Sequence, residues 1–185
     1  MDHSHAYYVT KHAIRLSSLA EKPVLLIWAA MLHDIGNAFA VKRKIVESEI
    51  DQAKGSLEKY MLKKEAIEFR EEHMLKGAIE SKKILEHLGA TEKECTIVLD
   101  MILYHDTWKF RPEFEYTHDQ SLLIEADACW MLSPKGIEID IERAINNNLK
   151  PMAIKDQFLY NYDKIINKIN YSKDIVEEYR KIIFK

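Results

Sequence analysis

Apolar residues recur along this chain every three or four positions, the spacing that gathers side chains on one face of an α-helix. His5, Val9, Ala13 and Leu16 make one such stripe. Leu26, Ala29 or Ala30, His33 and Asn37 make a second, and Leu123, Asp127 and Trp130 a third. Punctuation marks the element ends. Asp2 or Ser4 is placed to cap a first helix running to about residue 20. Pro23 suits a first helical turn and opens a second helix to about residue 38. Residues 45–88 predict two helices broken at Gly55-Ser56, the second ending at Gly89. Thr91-Glu92-Lys93-Glu94 and Thr117-His118-Asp119-Gln120 are capping boxes. The first opens a helix to about residue 104, and the second opens the helix that carries Asp127. The stretch 105–120, with Pro112 and many aromatics, reads as a loop. Ser133-Pro134-Lys135-Gly136 reads as a turn and Asn146-Asn147-Asn148 as a helix end. Helices over about 151–169 and 172–184 complete the chain. With 5 Gly and 4 Pro in 185 residues there is little material for the turns of a sheet protein, so the expected class is all-α.

The most apolar stretch, residues 24–32, ends in His33-Asp34 with Ile35-Gly36 just behind. Two ionisable groups at the mouth of so hydrophobic a helix are costly to bury unless something pairs with them. A divalent metal is a natural partner for imidazole and carboxylate. Neighbouring positions on a helix are about 100° apart, so His33 and Asp34 flank a common groove. The other two stripes carry His5 and Asp127, and three helices each offering a ligand from an apolar face build a bundle-core metal site. One buried His is ordinarily a hydrogen-bonded core residue. Several in register with two acids point to a site.

This ordered series, an early His5, the doublet His33-Asp34 and a late Ala126-Asp127, resembles the HD superfamily of metal-dependent phosphohydrolases. The resemblance implies a single HD-type helical bundle over residues 1–185, with the metal site in its core. The metal-site part spans about 2–131, and C-terminal helices over about 137–185 pack on it. His5, His33, Asp34 and Asp127 are then the ligands of one ion, with His33 and Asp34 as the catalytic doublet. In the dinuclear branch, a His on the middle helix and a His-His loop pair hold a second ion, bridged by the doublet Asp. The matching positions here are His73, read as opening a helix four residues before Gly77, and His105-Asp106. The second member of that pair is Asp rather than His, still a competent ligand for Mn, Fe or Mg. The implied cofactor is one or two divalent ions from among Mn, Fe, Mg, Ni, Co and Zn, with Mn or Fe favoured. Such ions activate water and clamp phosphoryl oxygens. Lys109 and Arg111 are candidate phosphate contacts. His118 and Lys135 are candidates beside the leaving oxygen. Residues 107–112 lack the Gly-Tyr-Pro loop of cyclic-dinucleotide phosphodiesterases, and no acidic pair like that of guanosine tetraphosphate hydrolases follows the doublet.

Composition narrows the partners. A net charge of −3 with 31% charged residues advertises no nucleic-acid binding, so the expected partner is a small phosphorylated substrate. Two cysteines without paired spacing read as reduced thiols, and residues 1–12 lack a basic-then-apolar signal, so a cytoplasmic protein is expected. The run at 24–32 is too short to span a bilayer. The amphipathic C-terminal helices offer either core packing or a homodimer surface. The expected activity is metal-dependent hydrolysis of a phosphate ester, a nucleotide or other small phosphorylated metabolite. The alternatives are a di-iron oxygenase on the same His/Asp set and a ligand-binding HD domain without turnover.

Overall fold

The computed structural model describes residues 3–41, 45, 47–111 and 113–185. The expected Asp2 cap lies outside them, as does Pro112 of the expected loop. Among the described residues there are helices and no strand. Helix α1 (His3–Leu16) and α2 (Pro23–Leu32) are followed by α3 (Glu47–Gln52) and the long α4 (Ser56–His87). Then come α5 (Glu92–Tyr104), α6 (His118–Trp130), α7 (Pro134–Asn146), α8 (Ile154–Ile165) and α9 (Lys173–Ile183).

Both capping boxes form, at Thr91/Glu94 and Thr117/Gln120. Helix α4 begins right after Gly55 and ends where Gly89 takes a φ of +83°, a conformation that glycine adopts without strain. Five expectations are corrected. Ser4 lies inside α1 rather than capping it, and α1 stops at Leu16, with a 3-10 turn over Ser17–Leu19. Helix α2 stops at Leu32 rather than near residue 38, because Asp34 leaves the helical region at φ −101°, ψ 6° and a 3-10 turn spans Ile35–Ala38. Ser133 is not part of a free turn; its hydroxyl accepts from Gly136 N–H and caps α7, with Pro134 at the first helical position. His73 stands in the middle of α4 rather than opening a helix.

Two apolar cores share α6. Val9, Ala13, Leu26, Val98, Ile102 and Leu123 belong to the core among α1, α2, α4, α5 and α6. Ala128, Cys129, Leu132, Ile137, Phe158 and Ile175 belong to the core that joins the end of α6 to α7, α8 and α9. Both cysteines are buried and free, and burial pushes the Cys129 thiol up to about 12.

A helix buried on nearly every side must satisfy its polar side chains internally. Asp119 accepts from the backbone N–H groups of Glu21 and Lys22 at 2.8 and 2.9 Å, just before α2. Glu125 accepts from the N–H groups of Asn170, Tyr171 and Ser172 at 2.8–2.9 Å and from the Ser172 hydroxyl at 2.8 Å, fastening the start of α9. His12 of α1 ties the same elements together: Nδ1–H donates to Ala126 C=O at 2.9 Å and Nε2 accepts from Tyr179 O–H at 2.7 Å.

Two stability predictions follow from these ties. Glu125→Ala leaves buried donors without an acceptor, so urea unfolding should show a loss of about 3 kcal/mol, with faster amide exchange in α9. Burial pulls His12 down to about 4, although its bond to Ala126 C=O acts the other way. The folded state therefore favours neutral His12, and its contribution is full above the unfolded value near 6.5 and is lost as pH falls towards 4, by roughly 3 kcal/mol. His12→Gln cannot titrate, so its unfolding midpoint should fall less steeply than that of the parent between pH 7 and pH 4.

Candidate metal centre

The site starts from a contact between backbones. The turn Ile35–Ala38 crosses α4 so closely that a Cβ on Gly36 would stand 1.8 Å from His73 O and 2.4 Å from Gly77 N. Gly77 is tight as well, its Cβ position 3.2 Å from His33 O. A side chain at Gly36 would block this crossing, which sets the His33-Asp34 doublet directly against His73.

Around that crossing two sets of donors converge. His5, His33 and Asp34 bring one ligand atom each to within 4.8 Å of one another, and so do Asp34, His73 and His105. Asp34 belongs to both sets through different oxygens. Its Oδ2 lies 3.2 Å from His5 Nε2, while its Oδ1 lies 3.5 Å from His73 Nε2 and 3.7 Å from His105 Nε2. Asp127 joins the first set, with Oδ1 3.3 Å from His5 Nε2 and 3.6 Å from His33 Nε2.

Backbone carbonyls orient the imidazoles. His33 Nδ1–H donates to Ala30 C=O at 2.8 Å and His105 Nδ1–H to Ile102 C=O at 2.7 Å. His73 Nδ1 faces Phe69 C=O at a longer 3.4 Å. A carbonyl can only accept, so Nδ1 carries the hydrogen and Nε2 turns its lone pair to the centre, the tautomer a metal ligand needs. His5 and His33 bring their Nε2 atoms within 3.0 Å, and His73 and His105 theirs within 3.3 Å. Nδ1 of both His73 and His105 faces a carbonyl, so their opposed Nε2 lone pairs need a proton or a metal between them.

The electrostatics agree. Burial alone would pull His5 down, but its bonds to Asp127 and Asp34 hold it up at about 10. Burial also resists charge on Asp34, yet His33, His105 and His5 keep its carboxyl well below the carboxylate range. Asp127 is likewise held down against burial, by His33, His5 and Lys109. His105 is raised despite its burial by Asp34 and Asp106, whereas burial and the neighbouring His105 lower His73 to about 4. A proton on His5 stands where an ion would, so taking up metal there means giving up a proton.

The donor set fits divalent ions. It is imidazole and carboxylate without thiolate, which suits Mn, Fe, Co, Ni or Zn through the nitrogens and adds hard oxygens from Asp34 and Asp127. The second set offers three protein donors, so an ion held there would keep coordination positions open, as catalytic metal sites do. Asp34, at 30% side-chain exposure, is the edge of the centre that meets solvent.

The remaining candidates separate. Asp106 lies outside both sets: Oδ2 is 2.7 Å from Arg70 Nη1, Lys109 Nζ holds Oδ1, and the nearest imidazole nitrogen, His73 Nε2, is 3.8 Å away. Lys109 lies beside the centre, close enough to hold Asp127 down. Arg111 pairs with Glu71 at 3.0 Å on the flank of α4. His118 is bonded to Leu19 C=O at 2.9 Å and rests edge-on against Tyr171. Lys135 pairs with Glu138 at 2.8 Å in the first turn of α7. Arg70 is a residue that the sequence reading missed. Its signal was there, one turn before His73 on the same face of α4.

A family profile of the HD domain matches residues 3–180. The chain belongs to the HD domain family. No curated protein and no solved structure matches it. HD domains bind divalent metals on a fold of metal-dependent hydrolase type, and the two donor sets of this HD domain could hold such ions. Among its described residues no helix is long and apolar enough to cross a membrane.

The glycine crossing gives a direct test. Gly36→Ala should push the turn off α4, cost at least about 2 kcal/mol of stability and lower the metal bound per chain. Elemental analysis after reconstitution, together with urea unfolding, reads both effects.

Proposed function

We propose that this HD domain is a metal-dependent phosphohydrolase acting on a small phosphate ester, a nucleotide or other phosphorylated metabolite, through metal-activated water. The observation that carries this reading is the division of Asp34 between two donor sets, one oxygen to each, at the solvent-facing edge of the centre. Two divalent ions held there would bring the pKa of a bound water towards neutrality and clamp phosphoryl oxygens, so the chain need supply no nucleophile of its own. Asp34 fixes the spacing of the sets. His33, fully buried and tied to Ala30 C=O, fixes the orientation of the doublet. Asp127 completes the first set from α6, and the carbonyl-held His105 and His73 complete the second. Such pre-set ligands need little reorganisation during the reaction. Arg111, His118 and Lys135 are engaged elsewhere and carry no part of this reading.

The reading is tested on protein stripped of metal and reloaded with Mn²⁺ or Fe²⁺. Nucleoside monophosphates and sugar phosphates should release phosphate without consuming O₂, and Asp34→Ala should lower the rate by roughly a thousandfold or more while losing bound metal. Full activity in Asp34→Ala overturns the assignment. O₂ consumption without phosphate release makes the site an oxygenase, and no turnover with any metal leaves a binding domain.

A further inference from the structure

The two doublets of this chain, His33-Asp34 and His105-Asp106, look alike in sequence, but their acids have different neighbours. Asp34 faces imidazole nitrogens. Asp106, 4% exposed, has its carboxylate between two cations. Arg70 Nη1 meets Oδ2 at 2.7 Å from the side of α4, and Lys109 Nζ meets Oδ1 from the loop after α5. Oδ1 accepts no hydrogen bond, but the Lys109 ammonium stands against it, so an ion approaching either oxygen would be repelled by a cation already there. Metal ligation is therefore the poorer use of this carboxylate.

Its better use is to aim Lys109. A lysine is a flexible point charge that loses side-chain freedom when it is fixed. Here the buried Asp106, itself braced by Arg70, fixes it. So held, Lys109 is 20% exposed and acts electrostatically on both donor sets, lowering Asp127 of the first and His73 of the second. It also acts electrostatically on Asp140 of α7. Two buried hydrogen-bond donors near it on the same loop, Trp108 Nε1 and Tyr116 O–H, have no partner among the described residues. The Trp108 ring lies 5.3 Å under Lys109 Nζ, and Tyr116 is close enough to Asp106 for the carboxylate to raise it. A positive charge at the rim of a metal centre, beside donors awaiting an acceptor, is a receptor for an oxyanion.

We propose that Lys109 binds a phosphate oxygen of the substrate beside the metal centre, and that Asp106, braced by Arg70, is the residue that positions it rather than a metal ligand. This rests on the phosphohydrolase reading for the identity of the anion and deepens it.

The test is calorimetric binding of inorganic phosphate to the Mn²⁺-loaded full chain, with Mn counted per chain in each variant. Lys109→Met should keep the parent's Mn content and weaken phosphate binding by roughly tenfold to a hundredfold, the strength of a charge-assisted contact. Lys109→Arg should recover part of the loss. Asp106→Asn should also keep its Mn and weaken phosphate. The double variant should bind no worse than Lys109→Met alone, because both changes act through one ammonium group.

Loss of Mn in Asp106→Asn makes Asp106 a ligand and overturns the proposal. So do unchanged phosphate affinity in Lys109→Met, additive losses in the double variant, or a parent that binds no phosphate. If Asp106→Asn does not fold, Lys109→Met and Lys109→Arg still decide the lysine's part, and Arg70→Lys, which keeps the charge but not the fork, decides the brace by its phosphate affinity. Because binding is read without turnover, the two readings fail separately. Phosphate held through Lys109 with no ester hydrolysed sinks only the hydrolase, and hydrolysis indifferent to Lys109 sinks only this assignment.

Discussion

The centre depends on two backbones touching. Where Gly36 passes over His73 and Gly77 there is no room for a single carbon. That closeness is what allows a carboxylate two residues beyond a helix end to reach imidazoles from α1, α4 and the end of α5 at once. A bulkier crossing would move Asp34 outward by the width of a methyl group, and the two donor sets would no longer share it. The end of α2 serves the same purpose. The chain leaves the helix at Asp34, which turns its carboxylate to the centre while His33 stays locked to the carbonyl of Ala30.

Helix α6 carries the second constraint. With apolar cores on two sides it has almost no solvent face, so each polar residue on it needs an internal partner. Asp119 and Glu125 find theirs in unpaired N–H groups ahead of α2 and α9, and Asp127 finds its in the imidazoles. Asp127 therefore stands on a strut fastened near both ends to other helices. The C-terminal helices contribute no atom to the donor sets, yet they help hold one of the ligands in place through Glu125 and the His12–Tyr179 bond.

Much of this was legible in the sequence, for physical reasons that can be named. Capping boxes at Thr91 and Thr117 announce themselves within four residues, and the apolar stripes put His5, His33 and Asp127 on inward faces. What failed depended on contacts distant in sequence. The doublet at 105–106 looks like the doublet at 33–34, and nothing local says that Arg70, 36 positions earlier, will claim its carboxylate. Nor does a periodic pattern show where a helix will unwind, since the stop at Leu32 is set by the approach of α4. His118 and Lys135 were plausible only as cations on turns; their partners, a carbonyl of Leu19 and the nearby Glu138, leave them engaged elsewhere.

The pairing of α1 with α9 bears on how the protein is made. His5 leaves the ribosome first among the ligands, but its helix is fixed by α6 and by a bond from His12 to Tyr179, 167 positions later. Until α9 has emerged, His12 lacks this partner and α1 lacks one of its ties, although α2 and α6 already pack against it. A chain built around such distant contacts completes its core slowly and late. An ion taken up after that point would enter a protein already closed around its donors, and the free ion pool at that moment would have a say in which ion occupies the site.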